Sequence, residues 1–420
     1  MKQMRIFRQK KQRVFGIIDV GSGSLKSLLF AVPEDTKNMK GRMVVPHIPK
    51  PIDKFVWELP ESYSGVWLAR KIRESIFHLV RRLEEIPERI IIALGPTVAE
   101  CGLHMWSVPP GAGGRMLTRR DIRATYHDLF ASQNDLRRAV IVEPIEALVN
   151  GYPLVWRGRG ARQAFGRERE VSARAQDASE RAQDAVLPRA RVEEISFRTL
   201  SLYMSVENGA TFAEIKNALG GIPVVFVPLA VAYTEAVVHG LGMRDALVVD
   251  VGGSETTLLS LRGGRFSHAA FTPFGTRRFA GRTAAEIVRA RRHGTPGTLS
   301  QGYPATQPSA ISAAGRTAAA TSATQWKQSF VSALGSFAAA GSISENLLLA
   351  GGGAYVPELR SALLAPDWMG QVSHVSVPRM RVLEGSAFFG GDTLEGFLQG
   401  PEDAGLGALA VYASAHQSIF

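Results

Sequence analysis

The 420-residue chain has one cysteine, Cys101. That scarcity excludes an intramolecular disulfide framework and any multi-cysteine metal site, and Cys101 itself reads as a small buried apolar residue. Long apolar runs are missing too. Nothing reaches the roughly 18 residues a membrane span requires, and the longest candidate, residues 222–233, is broken by Pro223 and Pro228. The basic N-terminus lacks the apolar stretch of a signal peptide, so an intracellular protein is expected. Acidic residues are too few to balance the basic ones: 38 Asp and Glu stand against 49 Lys and Arg, a formal charge of +11. The excess is local. Residues 1–13 hold Lys2, Arg5, Arg8, Lys10, Lys11 and Arg13 with no acid, and residues 157–191 hold nine arginines against five acids. The remaining body is close to neutral, which argues against nucleic acid as a partner. The two basic stretches read as a solvated arm and loop, or as attraction to an anionic membrane surface or acidic partner.

What is present is ordinary globular composition, 45% hydrophobic and 21% charged, in a chain long enough for two or three domains. Residues 14–30 read as strand, glycine turn, strand. Residues 66–86 read as an amphipathic helix with Ile72, Ile76, Leu79 and Leu83 on one face, ended by Pro87. A strand is expected at 89–94, a helix at 117–130, and strands at 139–145 and 195–206. Between the last two, residues 157–191 carry the repeat RAQDA at 174–178 and 181–185 and almost no large apolar residues, and read as a flexible insertion. A helix at 211–219 stops at Gly220-Gly221, a buried strand follows at 222–227, and a helix at 229–239. Residues 246–260 repeat the strand, glycine turn, strand pattern. Gly263-Gly264 turns the chain into a further strand at 265–271. Residues 293–325, rich in Ala, Ser, Thr, Gly and Pro, read as a flexible loop, with a helix at 325–340, a strand at 346–350 and a helix at 356–364.

Three glycine turns each follow a buried strand: DVGSGSLK at 19–26, DVGGSET at 250–256 and AGGGA at 350–354. Glycines let backbone approach a phosphate, and unpaired N–H groups in such turns form an anion-binding nest. Asp19 and Asp250 stand at strand ends just before their turns, where a carboxylate holds Mg²⁺ through water. Lys26 adds a point charge. Neither a Walker loop nor a dinucleotide fingerprint is present.

These motifs resemble those of the actin-like ATPases. Asp19 with Gly21, Ser22, Gly23, Ser24 and Lys26 is similar to the family's first phosphate hairpin. Asp250 with Gly252, Gly253 and Ser254 resembles the second. Residues 347–364 with Gly351, Gly352 and Gly353 resemble the adenosine motif, and residues 222–237 the connecting helix. The resemblance implies an α/β, ribonuclease H-like fold in two lobes, ATP and Mg²⁺ as ligands, and Asp19 and Asp250 as catalytic residues carrying Mg²⁺ through water.

Within that superfamily the chain resembles the FtsA division proteins, which carry an extra subdomain where residues 90–205 fall here. The organisation expected on that basis is a basic arm at 1–13 and a first lobe at 14–89 plus 206–244. An inserted α+β subdomain follows at 90–205, a second lobe at 245–399 and a tail at 400–420. FtsA-like behaviour implies filaments, contact with the tubulin-like ring protein FtsZ, and a cytoplasmic protein peripheral on the inner face of the membrane. The PilM proteins of pilus assembly, which bind a cytoplasmic peptide of a membrane protein, share the architecture and give the alternative.

The sequence also departs from the family pattern. Ser254, Glu255 and Thr257 replace a Gly, a Thr and an Asp of the second hairpin. Val227 stands before Pro228 where active relatives carry a water-orienting Glu, and Glu235 reads as a helix-surface residue. At most slow ATP hydrolysis is implied. A ribose-contacting pair is expected near Glu286. The tail at 400–420 is a poor amphipathic membrane helix, with no basic face.

Overall fold

The computed structural model describes residues 12–33, 50–60, 62–83, 86–95, 100–108, 139–149, 152–153, 194–203, 209–279, 313–337, 343–371, 377–389 and 397–415. The expected helix at 117–130, the RAQDA repeats and Glu286 lie outside them. The chain divides into two compact units, Met1–Val98 with Val206–Gln417, and a second covering Ala99–Ser205.

The first unit opens with β1 (Gln12–Val20), β2 (Ser24–Pro33), β3 (Lys50–Glu58), α1 (Gly65–Leu83) and β4 (Arg89–Leu94). The second unit is a four-stranded sheet of β5 (Glu100–Val108), β6 (Ala139–Val149), β7 (Tyr152–Pro153) and β8 (Ile195–Tyr203), in the order β5-β8-β6-β7. The chain returns to the first unit through α2 (Gly209–Ala218), β9 (Val224–Pro228) and α3 (Leu229–Glu235), which runs on as a π-helical turn over Ala236–Gly240. There follow β10 (Ala246–Val251), β11 (Thr256–Arg262), β12 (Arg265–Thr272), α4 (Ala313–Gly335), β13 (Asn346–Ala350), α5 (Pro357–Leu364), β14 (Arg379–Val382) and α6 (Ala404–Ala415).

Two five-stranded sheets organise the first unit, ordered β3-β2-β1-β4-β9 and β12-β11-β10-β13-β14. Each has the same plan: three antiparallel strands as a meander, then two parallel ones. The central strands β1 and β10 are apolar on both faces because both faces are covered, as Ile17, Ile18, Val248 and Val249 at 0% exposure record. The register sets Asp19 opposite Lys26 in one lobe and Asp250 opposite Thr257 in the other. The fold is therefore an internal duplication, and the two aspartates occupy equivalent positions in it.

Local sequence explains most elements. Ser64 caps α1, its Oγ accepting from the Trp67 N–H at 3.2 Å, and Leu68, Ile72, Ile76 and Leu79 bury one face of the helix. A Cβ on Gly65 would fall 1.9 Å from Thr211 Oγ1, so glycine there lets α1 and α2 meet closely. The hairpin between β11 and β12 turns on Gly263 and Gly264 at φ 56° and 79°, the left-handed pair a two-residue turn requires.

Three sequence-based expectations need correction. Strand β4, placed in the inserted subdomain, belongs to the first sheet between β1 and β9; the insertion begins after it. Residues 313–325, read as part of a flexible loop, are the first half of α4. Alanine is the strongest helix former, and Ala319, Ala323, Trp326, Phe330 and Leu334 fall on one buried face. The small residues bring the helix close to its sheet, while Trp326 stacks on Phe330 at 5.1 Å and Phe330 meets Trp368 edge-on at 5.1 Å. The Trp326 indole donates to Thr256 Oγ1 at 2.9 Å, and that hydroxyl donates to the Phe274 carbonyl at 2.7 Å, so neither buried donor is stranded.

The third correction concerns the chain's last helix. Residues 404–415, read as a tail and a poor membrane helix, are α6, buried from Ala404 to Ser414 against β1, β2 and α3. A helix that is apolar all round with no polar stripe is a core helix, which is why it carries no basic face. No helix among the described residues is long and apolar enough to cross a membrane. Leu409 is fully buried, so Leu409→Ala is expected to cost about 2–5 kcal/mol of stability. Urea unfolding followed by circular dichroism measures this; a helix lying on a membrane surface would show almost no change.

Candidate functional site

Both glycine hairpins and the β13 turn converge on one cleft of the first unit, with a volume of about 320 Å³. That is the low end of the roughly 300–1,000 Å³ usual for ligand pockets. Asp19, Gly21, Ser22, Gly23, Ser24, Lys26, Asp250, Gly252, Gly253, Gly351 and Gly352 all line it. Two sequence-predicted residues do not. Gly353 is buried below the turn, where a Cβ would fall 2.3 Å from Val251 Cγ1, so it serves packing. Ser254 points at the other lobe: its N–H donates to Ser22 Oγ at 3.2 Å and its hydroxyl to the Ser22 carbonyl at 3.3 Å.

The two hairpins touch. A Cβ on Gly253 would stand 2.6 Å from the Gly23 Cα, and one on Gly23 would stand 3.1 Å from the Gly253 Cα. Only glycine at both turns permits this approach. The β13 turn is equally tight: Gly351 has φ 80°, and a Cβ there would fall 2.4 Å from Asp250 Oδ1. In the first lobe Gly95 holds the matching place after β4, in the bond from its N–H to the Val20 carbonyl at 3.0 Å.

The electrostatics centre on the paired aspartates. Asp19 is buried, and Lys26 Nζ reaches its Oδ2 at 3.3 Å while also donating to the Glu402 carbonyl. Lys26 therefore ties the first hairpin to the start of α6 rather than standing free as a point charge. A Cβ on Gly405 would fall 2.7 Å from Asp19 Oδ2, so the first turn of α6 closes over that carboxylate. Asp250 opens onto the cleft and accepts from the Tyr233 hydroxyl at 2.8 Å. Its carboxyl is nevertheless pushed up to about 6 from an ordinary 3.8. Desolvation by the surrounding protein is the main cause and the Asp19 charge adds to it, while the Tyr233 hydrogen bond and Lys26 pull the other way. Burial and the two aspartates hold the Tyr233 phenol well above its usual value, so it stays a donor.

Sequence reasoning missed several lining residues: Glu58, Gly95, Leu229, Thr276, Arg277, Glu402 and Gly405. Among the described lining residues, Asp19, Glu58, Asp250, Glu255 and Glu402 face two cations, Lys26 and Arg277. Glu255, one of the departures from the family pattern, lines the cleft, its Oε1 lying 3.3 Å from where a Gly95 Cβ would be. Val227 is buried in β9, and Glu235 pairs with His239 on the helix at 3.3 Å, outside the cleft lining.

This donor set fits a hydrated divalent cation. Two equivalent carboxylates line the cleft, and burial makes one of them, Asp250, resist ionisation. No cluster of three or more His, Cys, Asp or Glu suited to hold a metal occurs among the described residues. Water-mediated coordination by Asp19 and Asp250 is what such a pair supports. The glycine turns supply the cradle for a phosphate beside it.

No family model matches the chain, and no curated protein is found to be similar to it. Among solved structures, the PilM–PilN type IV pilus biogenesis complex aligns over 96% of this chain and 99% of the matched one, at 16% identity and TM-score 0.56. The fold is the actin-like ATPase fold. Weaker likenesses include the nucleotide-free diol dehydratase-reactivating factor (11% identity, 96% and 100% covered, TM-score 0.44). MreB 5 of Spiroplasma citri bound to AMPPNP matches at 11% identity with 97% of each chain covered, TM-score 0.39.

Because the Asp250 carboxyl ionises less readily folded than unfolded, its charge destabilises the fold as pH rises from about 4 through about 6. Asp250→Asn keeps the Tyr233 acceptor and removes that cost. It is expected to raise stability by about 1–2 kcal/mol at pH 7.5 and by little at pH 4.5. Thermal melts at the two pH values check this; equal gains at both would contradict the assignment.

Proposed function

We propose that the chain is a Mg²⁺·nucleotide-responsive adaptor of the actin-like fold, working in type IV pilus assembly as its structural relative PilM does. The observation that carries the reading is the duplicated hairpin cleft, with Asp19 and Asp250 at equivalent strand ends, inside a fold that follows a PilM–PilN complex chain over nearly its whole length. Asp19 and Asp250 are the residues to hold Mg²⁺ through water. Gly21 to Ser24, Gly252, Gly253 and the Gly351-Gly352 turn are those to cradle phosphate. Mg²⁺, when bound, supplies the positive charge that lets a polyphosphate enter a cleft with more carboxylates than cations.

ATP acts here as a conformational ligand more than as a substrate. The position before Pro228 holds the buried Val227, which cannot orient an attacking water. The division-protein reading keeps the same cleft, but residues 404–415, read as part of its membrane helix, sit in the core. The partner favoured is a short cytoplasmic peptide of a pilus membrane protein of the PilN type.

Titration with a fluorescent ATP analogue in Mg²⁺ is expected to show saturable binding. Asp19→Ala with Asp250→Ala is expected to weaken it at least about tenfold, with phosphate release far below the typical enzymatic turnover of about 10 per second. A PilN-type peptide is expected to co-purify with wild type in a nucleotide-dependent manner. Binding unaffected by the double substitution would overturn the site; co-pelleting with FtsZ instead of the peptide would return the division reading.

A further inference from the structure

We propose that Thr257 sets the metal dependence of the cleft: it leaves the second lobe's carboxylate without an internal counter-ion, so that Asp250 recruits the divalent cation while Asp19 is served by Lys26. The proposal rests on the nucleotide reading of the cleft and adds to it the residue that decides which lobe calls for the metal.

The duplicated fold supplies an internal standard. Strands β1 and β2 pair antiparallel, as do β10 and β11, and the two aspartates hold the same place in their pairs. Asp19 stands opposite Lys26, and Asp250 stands opposite Thr257. Directly opposite residues of an antiparallel pair present their side chains to one face of the sheet, close enough to interact. What stands opposite each carboxylate therefore decides how its charge is met.

In the first lobe the charge is met inside the protein. Lys26 Nζ lies 3.3 Å from Asp19 Oδ2, with the two side chains only 8% and 6% exposed, and it also donates to the Glu402 carbonyl. In the second lobe a hydroxyl takes the lysine's place. Asp250 has no ion-pair partner among the described residues. The Tyr233 hydroxyl donates to its Oδ2 at 2.8 Å, and a neutral donor leaves the net charge as it was. All four residues line the cleft, but Asp250 and Thr257 are partly exposed to it whereas Asp19 and Lys26 are buried.

The charge of the lining gives this difference its consequence. Carboxylates outnumber cations there, so a polyphosphate arriving without metal meets repulsion. A bound divalent ion is the largest local charge in a site of this kind, and of the two carboxylates Asp250 is the one whose charge is left for it to answer. A lysine at 257, in the register that Lys26 already occupies, would supply a fixed ammonium in its stead.

The test reads ATP affinity by calorimetry on full-length protein, in Mg²⁺ and in EDTA. In wild type Mg²⁺ is expected to strengthen binding at least about tenfold. In Thr257→Lys that factor is expected to fall to within about twofold, because affinity in EDTA rises. Asp250→Asn is expected to lose the factor in the same way. Thr257→Met, similar in length to lysine and uncharged, is expected to bind more weakly from bulk yet to keep the factor. Thermal melts establish that each variant is folded. A second readout needs no nucleotide: Mn²⁺ bound to the protein, counted by electron paramagnetic resonance, is expected in wild type and Thr257→Met and is expected to be lost in Thr257→Lys and Asp250→Asn. If Thr257→Lys or Asp250→Asn responds to Mg²⁺ as wild type does, or if Thr257→Met loses as much as Thr257→Lys, the assignment is wrong although the cleft binds nucleotide. If wild type binds no ATP but the Mn²⁺ pattern holds, the nucleotide reading fails and the role of Thr257 stands. If wild type binds neither, both fail.

Discussion

A carboxylate buried at the end of a central strand ionises less readily than one in water, and a second carboxylate close by adds to that cost. Much of the first unit is arranged around that constraint. Lys26 neutralises Asp19 from the neighbouring strand, Tyr233 offers its hydroxyl to Asp250, and the Asp250 carboxyl still sits at about 6. What remains is an unmet demand for positive charge facing a glycine-lined space. A divalent cation accompanied by a polyphosphate meets that demand, and an uncharged ligand does not.

The end of the chain is part of the same construction. The Glu402 carbonyl accepts from Lys26, Lys54 pairs with Asp403 at 2.5 Å, and Gly405 lies against Asp19. The buried α6 then fills the space over β1 and β2. The helix that closes the fold therefore also forms one wall of the site, so changes in the hairpins and in the last helix are coupled through Lys26. This gives the cleft a physical route to the body of the first lobe, which the proposed adaptor role would need.

The glycine turns and their aspartates were legible because each is a local signal: an apolar strand, a carboxylate, then glycines. The duplicated order of the strands could be read from the repeat of that pattern. What could not be read is contact between distant segments. Glu402 meets Lys26 across 376 residues of sequence, and nothing in PED at 401–403 announces it. Arg277 carries no signal in the sequence because its partners, the Leu59 and Pro60 carbonyls and Ser254 Oγ, lie far from it along the chain. The early start of α4 was hidden by composition: an Ala- and Ser-rich stretch reads as loop until a sheet is present for its small residues to pack against. The absence of amphipathicity in α6 was itself the clue to burial, since a helix with no polar face has no place at a surface.

The claim on which the account turns is that a cation with its phosphates relieves the charge at Asp250. Calorimetry of preformed Mg²⁺·ATP binding, repeated in two buffers of different ionisation enthalpy, counts the protons exchanged. With the carboxyl at about 6 in the free protein, about half a proton is expected to be released on binding at pH 6 and almost none at pH 8. Binding at pH 6 with no proton release would contradict it.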